Sequence, residues 1–536
     1  MKKSPLILLA LAFCLSAVAQ AKGKGRSGKK SRSRVQKTVV SPGDVELARL
    51  KKLYRKGVLR RDTLWGKLNQ MEGGKLTRGS RASLLQMQAG LLFEDGYPVM
   101  GAIYATEALK MAANPLSPIY NRSWELLTKV SRVRPVQYLL EDLALSLKLK
   151  GRNPPSFKND WNYIIGNALA SKSRDKDAER FYKRVNLGNR YFLPASYQIA
   201  MIRYERGDLQ NARAALNAIL MRSSRDASPV SRRDKVEMWN YANMALGRIA
   251  YEERKFLTSA RYFRKVTKTS PLYYDALFEQ SWSLFMSGNP KHSLGTLYGV
   301  HSPYFKDIYN PEGRILEAIV YFWLCRYGDS RNALAAFLEK HGEAVESLSS
   351  FLDQRRYSKE SAYRLFENLV AGVSGDSLGI PRDILLTAAE RDTMLLVRDQ
   401  LATALGERSR ISYRGVWRHK KNIIGPMGRI NKVIKGLRDD LGSQFVKELQ
   451  ADRSHYEDLY GQAQFLYLEL LMSEKEQLLG RELHVDNKVT RVSDYDDIRG
   501  WGRKTQSWKS ERKGEYWWDE VGFHLVSVEP KCNIQK

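Results

Sequence analysis

The chain has 536 residues, with 89 Lys and Arg against 58 Asp and Glu, for a formal net charge of +31. A composition of 43% hydrophobic and 27% charged residues excludes a globally disordered or collagen-like chain, and its length supplies ample apolar material for a core. Three cysteines in 536 residues exclude a disulfide scaffold and any zinc site built from several thiolates.

Met1-Lys2-Lys3 followed by the apolar stretch Leu6–Ala19 and by Ala19-Gln20-Ala21 reads as a Sec-type signal peptide cleaved near Ala21. The apolar run is shorter than the roughly 20 residues a membrane-spanning helix needs. The expected location is therefore the periplasm or the cell envelope. Leu11-Ala12-Phe13-Cys14 approximates a lipoprotein box, but the bulky Phe13 stands where a small residue belongs, so lipidation at Cys14 is not expected. Eight basic and no acidic residues follow between Lys22 and Lys37, a solvated arm that suits either an anionic surface or a solubilising linker. Gly23-Lys24-Gly25-Arg26-Ser27-Gly28 matches a dinucleotide fingerprint formally, yet no strand precedes it and no helix follows, so it carries no nucleotide chemistry.

Around residues 240–271, Leu246, Gly247, Tyr251, Phe256, Ser259, Phe263 and Pro271 recur at the spacings of paired helices, with small residues at Gly247 and Ser259 for close helix approach. This pattern resembles the tetratricopeptide repeat. Related segments are Ile165-Gly166 with Ala178 and Tyr182, Gly207-Asp208 with Ala212 and Leu216, Gly288-Asn289 with Ser293 and Leu297, and Gly328-Asp329 with Ala333 and Phe337. Ala89, Gly96 and Ala108 suggest a further pair within 82–115. Longer intervals predict insertions near Ser223–Asp234 and Val300–Pro311. The expected fold is all-α: a tetratricopeptide-like helical-hairpin solenoid followed by long antiparallel or coiled-coil-like helices. The expected organisation is a signal peptide (1–21), a basic arm (22–43), an N-terminal helical region with weak repeats (44–150), the repeat array (151–345), a long-helix domain (346–482) and an aromatic, basic tail (483–536).

The resemblance implies that the first helices of the pairs line a groove that holds protein partners. Its candidate contacts are Tyr197, Met201 and Tyr204, then Met244, Arg248 and Tyr251, then Phe278, Trp282 and Phe285. Aromatic side chains with an arginine suit recognition, and equally suit packing.

Beyond Arg382 the repeat pattern fades. Between Leu437 and Leu470 apolar residues recur every three, four or seven positions, predicting an amphipathic helix that continues to Leu479 and packs against 383–406 or another subunit. Between Arg408 and Arg438 there are ten basic residues and no acidic one, interrupted by Gly425-Pro426-Met427-Gly428, with Tyr413 and Trp417 among them. Arg408, Arg410, Arg414, Arg418, Lys420 and Lys421 are the candidate anion-binding residues, for an anionic polymer or lipid headgroups. In the last 40 residues Trp501, Trp508, Trp517 and Trp518 alternate with cations, an arrangement that fits docking of the tail onto the array or stacking on a polymer.

The seven histidines form no HExxH arrangement, and no GxSxG elbow occurs. No enzyme activity, metal or cofactor is expected. Cys325 and Cys532 are candidates for a disulfide that would staple the tail to the array. The order of elements also resembles envelope repeat proteins of gliding and predatory bacteria. The expected function is an exported scaffold for protein partners of the cell envelope, with basic segments contacting anionic envelope material. The alternative is a binder of wall glycan, lipopolysaccharide or nucleic acid with the repeats as a stalk. Basicity is concentrated in the signal peptide, the arm, Arg49–Arg61 and Arg408–Arg438, which leaves the repeats close to neutral.

Overall fold

The computed structural model describes residues 41–479 apart from 113–116, 147–157, 224–230, 307, 355–357, 373–379 and 412–414, together with 506–508, 516, 518, 521–526 and 528–531 of the tail. The expected signal peptide (1–21) and residues 22–40 of the expected basic arm lie outside the described residues, whereas Ser41, Pro42 and Gly43 form the start of the first helix. Among those described the fold is all-α apart from two three-residue strands. The chain divides into two compact units, 1–186 with 396–438, and 187–395 with 439–536.

The first unit contains α1 (Pro42–Arg55), α2 (Arg61–Glu72), α3 (Arg78–Glu94), α4 (Pro98–Met111), α5 (Pro118–Val133), α6 (Gln137–Ser146), α7 (Lys158–Ala170) and α8 (Asp175–Tyr182). The helix starts are written locally. Ser41 and Asp44 form a reciprocal capping box on α1, and Thr77 and Ser117 cap α3 and α5 through their hydroxyls. The start of α4 lacks such a residue. Its Val99 and Met100 amides donate instead to the two carboxylate oxygens of Glu407, at 2.8 and 3.0 Å. Glu407 lies on α19 (Asp392–Arg410), where burial raises its pKa and the two amides oppose that rise.

The second unit contains α9 (Phe192–Glu205), α10 (Leu209–Ser223), α11 (Arg232–Glu252), α12 (Phe256–Phe263), α13 (Tyr273–Met286), α14 (Pro290–Val300), α15 (Glu312–Trp323), α16 (Tyr327–Gln354), α17 (Lys359–Val370) and α18 (Arg382–Ala389). Breaks fall at both expected insertions, between α10 and α11 and between α14 and α15.

Six helix pairs share one rule. Buried small residues stand twelve positions apart on the two helices: Ala89 and Gly101, Gly166 and Ala178, Ala200 and Ala212, Gly247 and Ser259, Ser281 and Ser293, Ala318 and Ser330. Seven residues after the first of each pair the chain turns through positive φ, at Gly96, Ser173, Gly207, Arg254, Gly288 and Cys325. Close approach follows from the missing side chains. A Cβ on Gly247 would come within 2.5 Å of the Phe263 ring, and one on Gly166 would overlap the Tyr182 ring. In three pairs the second small residue is a serine whose hydroxyl donates to the facing first-helix carbonyl: Ser259 to Gly247 at 2.7 Å, Ser293 to Ser281 at 2.8 Å, Ser330 to Ala318 at 2.8 Å. The hydroxyl thus finds its partner inside a dry contact.

This rule corrects the last repeat. Gly328-Asp329 do not form the turn; they lie inside α16, and the small residue of the pair is Ser330 rather than Ala333. Cys325 accordingly sits in the turn, at φ 53°. The turn residues from Ser173 onward recur at intervals of 34, 47, 34 and 37 positions.

The long helix also differs from expectation. As α20 it runs for 59 residues, Lys420–Leu478, straight through Pro426. A proline there removes the N–H that would serve the carbonyl of Asn422, four residues earlier. That carbonyl accepts from the Trp65 indole at 3.2 Å, so the helix continues without an orphaned acceptor. In the second unit α20 lies antiparallel to α16 through Arg331–Glu474, Ser349–Glu457 and Asp353–Arg453, and its Gly442 abuts the α17 backbone at Tyr363. The expected partner, 383–406, contributes Arg391, which pairs with Glu448 and Asp452.

Candidate functional site

Along α9, α11 and α13 the proposed groove residues recur at i, i+4 and i+7, which places each trio on one helix face. Each helix is linked to the next through these positions. Tyr197 of α9 meets Tyr241 of α11 with ring centroids 5.5 Å apart, and the Tyr204 hydroxyl donates to Glu252. Arg248 of α11 holds both carboxylate oxygens of Glu279 on α13, Nε lying 3.0 and 2.9 Å away. Trp282 of α13 lies beside Glu312 of α15, and Phe285 meets Trp323 edge-on at 6.2 Å. Tyr197, Met201, Tyr204, Tyr251, Phe278, Trp282 and Phe285 are partly exposed, and Arg248 is exposed. Eight of the nine expected residues therefore retain solvent contact.

Met244 is the exception and does not line the groove. It is 3% exposed and packs with Phe263, Val266 and Ala276, filling the space between α11, α12 and α13. Glu252, Glu279 and Glu312 were missed. Glu279 stands 31 residues from Arg248, close to one repeat, and nothing local marks the pairing.

The electrostatics of this face follow from partial burial. Burial first, then the Glu279 carboxylate, raises Glu312 to about 7, and the Trp282 indole opposes the rise. Burial lifts Tyr251 to about 12, with Glu312 adding to it. The face combines aromatic rings, one fork-shaped cation and carboxylates, one of which exchanges its proton near neutrality.

The opposite helix of one pair is already occupied. Tail residues 521–526 and 528–529 run antiparallel to α14: a Cβ on Gly299 would touch Val521, one on Gly295 would overlap the His524 carbonyl, and Lys291 pairs with Glu529 at 2.7 Å. Tyr273 Oη donates to the Val521 carbonyl at 2.9 Å, and Trp518 packs against Tyr273, Tyr304 and Phe305. Val521 and Val528 are buried. Gln506–Trp508 (β1) and His524–Val526 (β2) pair in parallel. Trp518 docks as one of the two sequence readings required; Trp501 and Trp517 lie outside the described residues.

Cys325 is disulfide-bonded. The carbonyl of its neighbour Leu324 accepts from the Lys531 amide at 2.9 Å, and Cys532 lies outside the described residues.

In the basic segment, Arg410, Lys420 and Lys421 are exposed and Arg408 is partly exposed, whereas Arg414 and the side chain of Arg418 lie outside the described residues. Two expectations change. Trp417 is no surface platform: it is 3% exposed, 4.6 Å from the Trp65 ring and 5.7 Å from Tyr97. Nor is the segment without counter-charge. Arg429 pairs with Glu107 at 2.8 Å and with Glu72, and it lies 4.3 Å over the Tyr104 ring. Both carboxylates come from far away in sequence, on α2 and α4, and one of the ten cations is thereby structural.

Among the described residues no helix is long and apolar enough to cross a membrane. Compared with known proteins, the chain matches no family model and no curated sequence.

Proposed function

We propose that this chain is an exported, tetratricopeptide-like scaffold of a bacterial cell-envelope assembly, which holds a protein partner on the first-helix face of α9–α15 and touches anionic envelope material through its basic segments. The observation that supports the reading best is the continuous ladder of side-chain pairs from Tyr197–Tyr241 to Phe285–Trp323, which leaves aromatic rings and Arg248 open to solvent. Half-buried aromatic and arginine side chains are the residue types that carry binding energy at protein interfaces. Proteins on this face are bound rather than transformed in this reading, and the chain acts on no substrate.

The test is site-specific photo-cross-linking in intact envelopes, with the photoreactive residue at Tyr204 or Trp282. A discrete adduct with one or a few proteins is expected, resistant to about 0.5 M salt and lost in a Tyr204→Ala/Trp282→Ala variant that keeps its helicity. Adducts with no protein would sink the scaffold. Envelope binding that persists without protein adducts and falls steeply with salt would favour the polymer-binding alternative, through Arg408, Arg410, Lys420 and Lys421.

A further inference from the structure

The C-terminal part of α20 is apolar on two opposite sides. One side is packed: Tyr456, Leu459, Ala463 and Leu470 are at most 4% exposed. About 180° away around the helix run Gly461, Phe465, Leu468, Met472, Lys475 and Leu479, at spacings of 4, 3, 4, 3 and 4. All six are exposed, with Phe465 at 63%, Leu468 at 59%, Met472 at 61% and Leu479 at 54%. Leu471 and Leu478 widen the stripe along one edge, also exposed. Alternating steps of three and four are the seam of a two-helix coil, and a helix needing only one buried face has no use for a second.

We infer that this stripe is a dimer interface, closed by the same segment of a second copy in antiparallel orientation. Self-complementarity carries the assignment. With the two-fold axis beside Leu470 and Leu471, Gly461 faces Leu479 of the second copy, Phe465 faces Lys475, and Leu468 faces Met472. The smallest residue thus meets a large one, and the lone cation of the seam meets an aromatic ring. Leu471 meets its own copy at the axis. A parallel pair would instead stack Lys475 on Lys475 and leave a void between two glycines. An isologous contact closes after two copies and leaves no stripe bare.

The experiment is sedimentation equilibrium of the full-length exported protein between about 1 and 50 μM. A reversible monomer–dimer equilibrium is expected, and Leu468→Asp with Met472→Asp should weaken it at least 100-fold. Because both residues are exposed, melting temperature and helicity at low concentration should stay unchanged, which separates loss of pairing from loss of fold. Leu471→Cys should link covalently to its own copy under mild oxidation, whereas Leu468→Cys should not. A wild type that stays monomeric at 50 μM, a double variant that still dimerises, or cross-linking through Cys at 468 alone would each overturn the proposal.

Discussion

The hairpins of the repeat and the α16–α20 pair bring helices together in opposite ways. In the hairpins the contact is made by what is missing: at Gly247 or Gly166 a single added methyl meets an aromatic ring. Along α16 and α20 one glycine, Gly342, also lies close to a ring, that of Tyr460, but much of the contact is bridged by long side chains such as Arg331–Glu474 and Arg453–Asp353, with one arginine half exposed and the aspartate largely so. The first kind of contact has one solution in space, because rings and backbone cannot retreat. The second has many, because lysine, arginine and glutamate rotamers adapt and water completes them.

The sharpest way to break this contrast is Gly247→Leu, which forces a branched side chain into the Phe263 ring. It should cost about 3 kcal/mol, read as a lowered urea midpoint. An unchanged midpoint would mean that the hairpin is as adaptable as the long-helix interface. Arg429→Ala comes next, at about 2–3 kcal/mol, since it strands Glu72 and Glu107 in a part-buried site and removes the cation over Tyr104. Gly295→Val should cost about 2 kcal/mol and release the tail, seen as new protease sensitivity beyond residue 500 and a red-shifted tryptophan emission, while the hairpins stay folded. Arg331→Ala should change stability by less than about 1 kcal/mol. A larger loss would show that the long-helix contact is as constrained as the hairpins.

Acidification tests the interior of the second unit. Burial lowers His301 to about 3, and His341 and His524 to about 4, whereas the unfolded chain takes up these protons near 6.5. Stability is therefore lost as pH falls from about 6.5 towards 4. Glu312 acts with the opposite sign: raised to about 7, it takes its proton earlier in the folded chain and adds stability as pH falls towards 4.5. His292 and His455 are lowered in the same way, and Glu317, Asp440 and Asp452 are raised like Glu312, so melting temperature should drop over this range only by the margin of the five histidines over the four carboxylates. Glu312→Gln removes the opposing contribution and should steepen the drop; a slope unchanged by that variant would count against the burial of Glu312. Peptide mapping of the protein without reductant should recover Cys325 joined to Cys532.

What could be read from sequence follows the same contrast. Gly247, Ser259 and Gly166 announce themselves because close approach demands small residues at fixed spacing, and the recurrence survives between repeats. Met244 was misplaced because a trio at i, i+4 and i+7 names a face and not the depth at each position. The partners of Arg429 and the pairing of Arg248 with Glu279 left no trace, since an ion pair between distant helices constrains neither neighbour. The path of α20 through Pro426 was hidden for a similar reason: its acceptor is satisfied by Trp65, more than 350 residues earlier.

The tail on α14 has a consequence for the order in which the molecule is completed. Tyr273 and Val521, joined by a hydrogen bond, are 248 residues apart. A chain emerging N-terminus first can close each helix pair as it appears, since the partners are twelve residues apart. The glycine-bearing surface of α14 must wait for the last residues to arrive. Until then Gly295 and Gly299 are an uncovered apolar strip, and that interval, not the finished molecule, is when a chaperone has the most to shield.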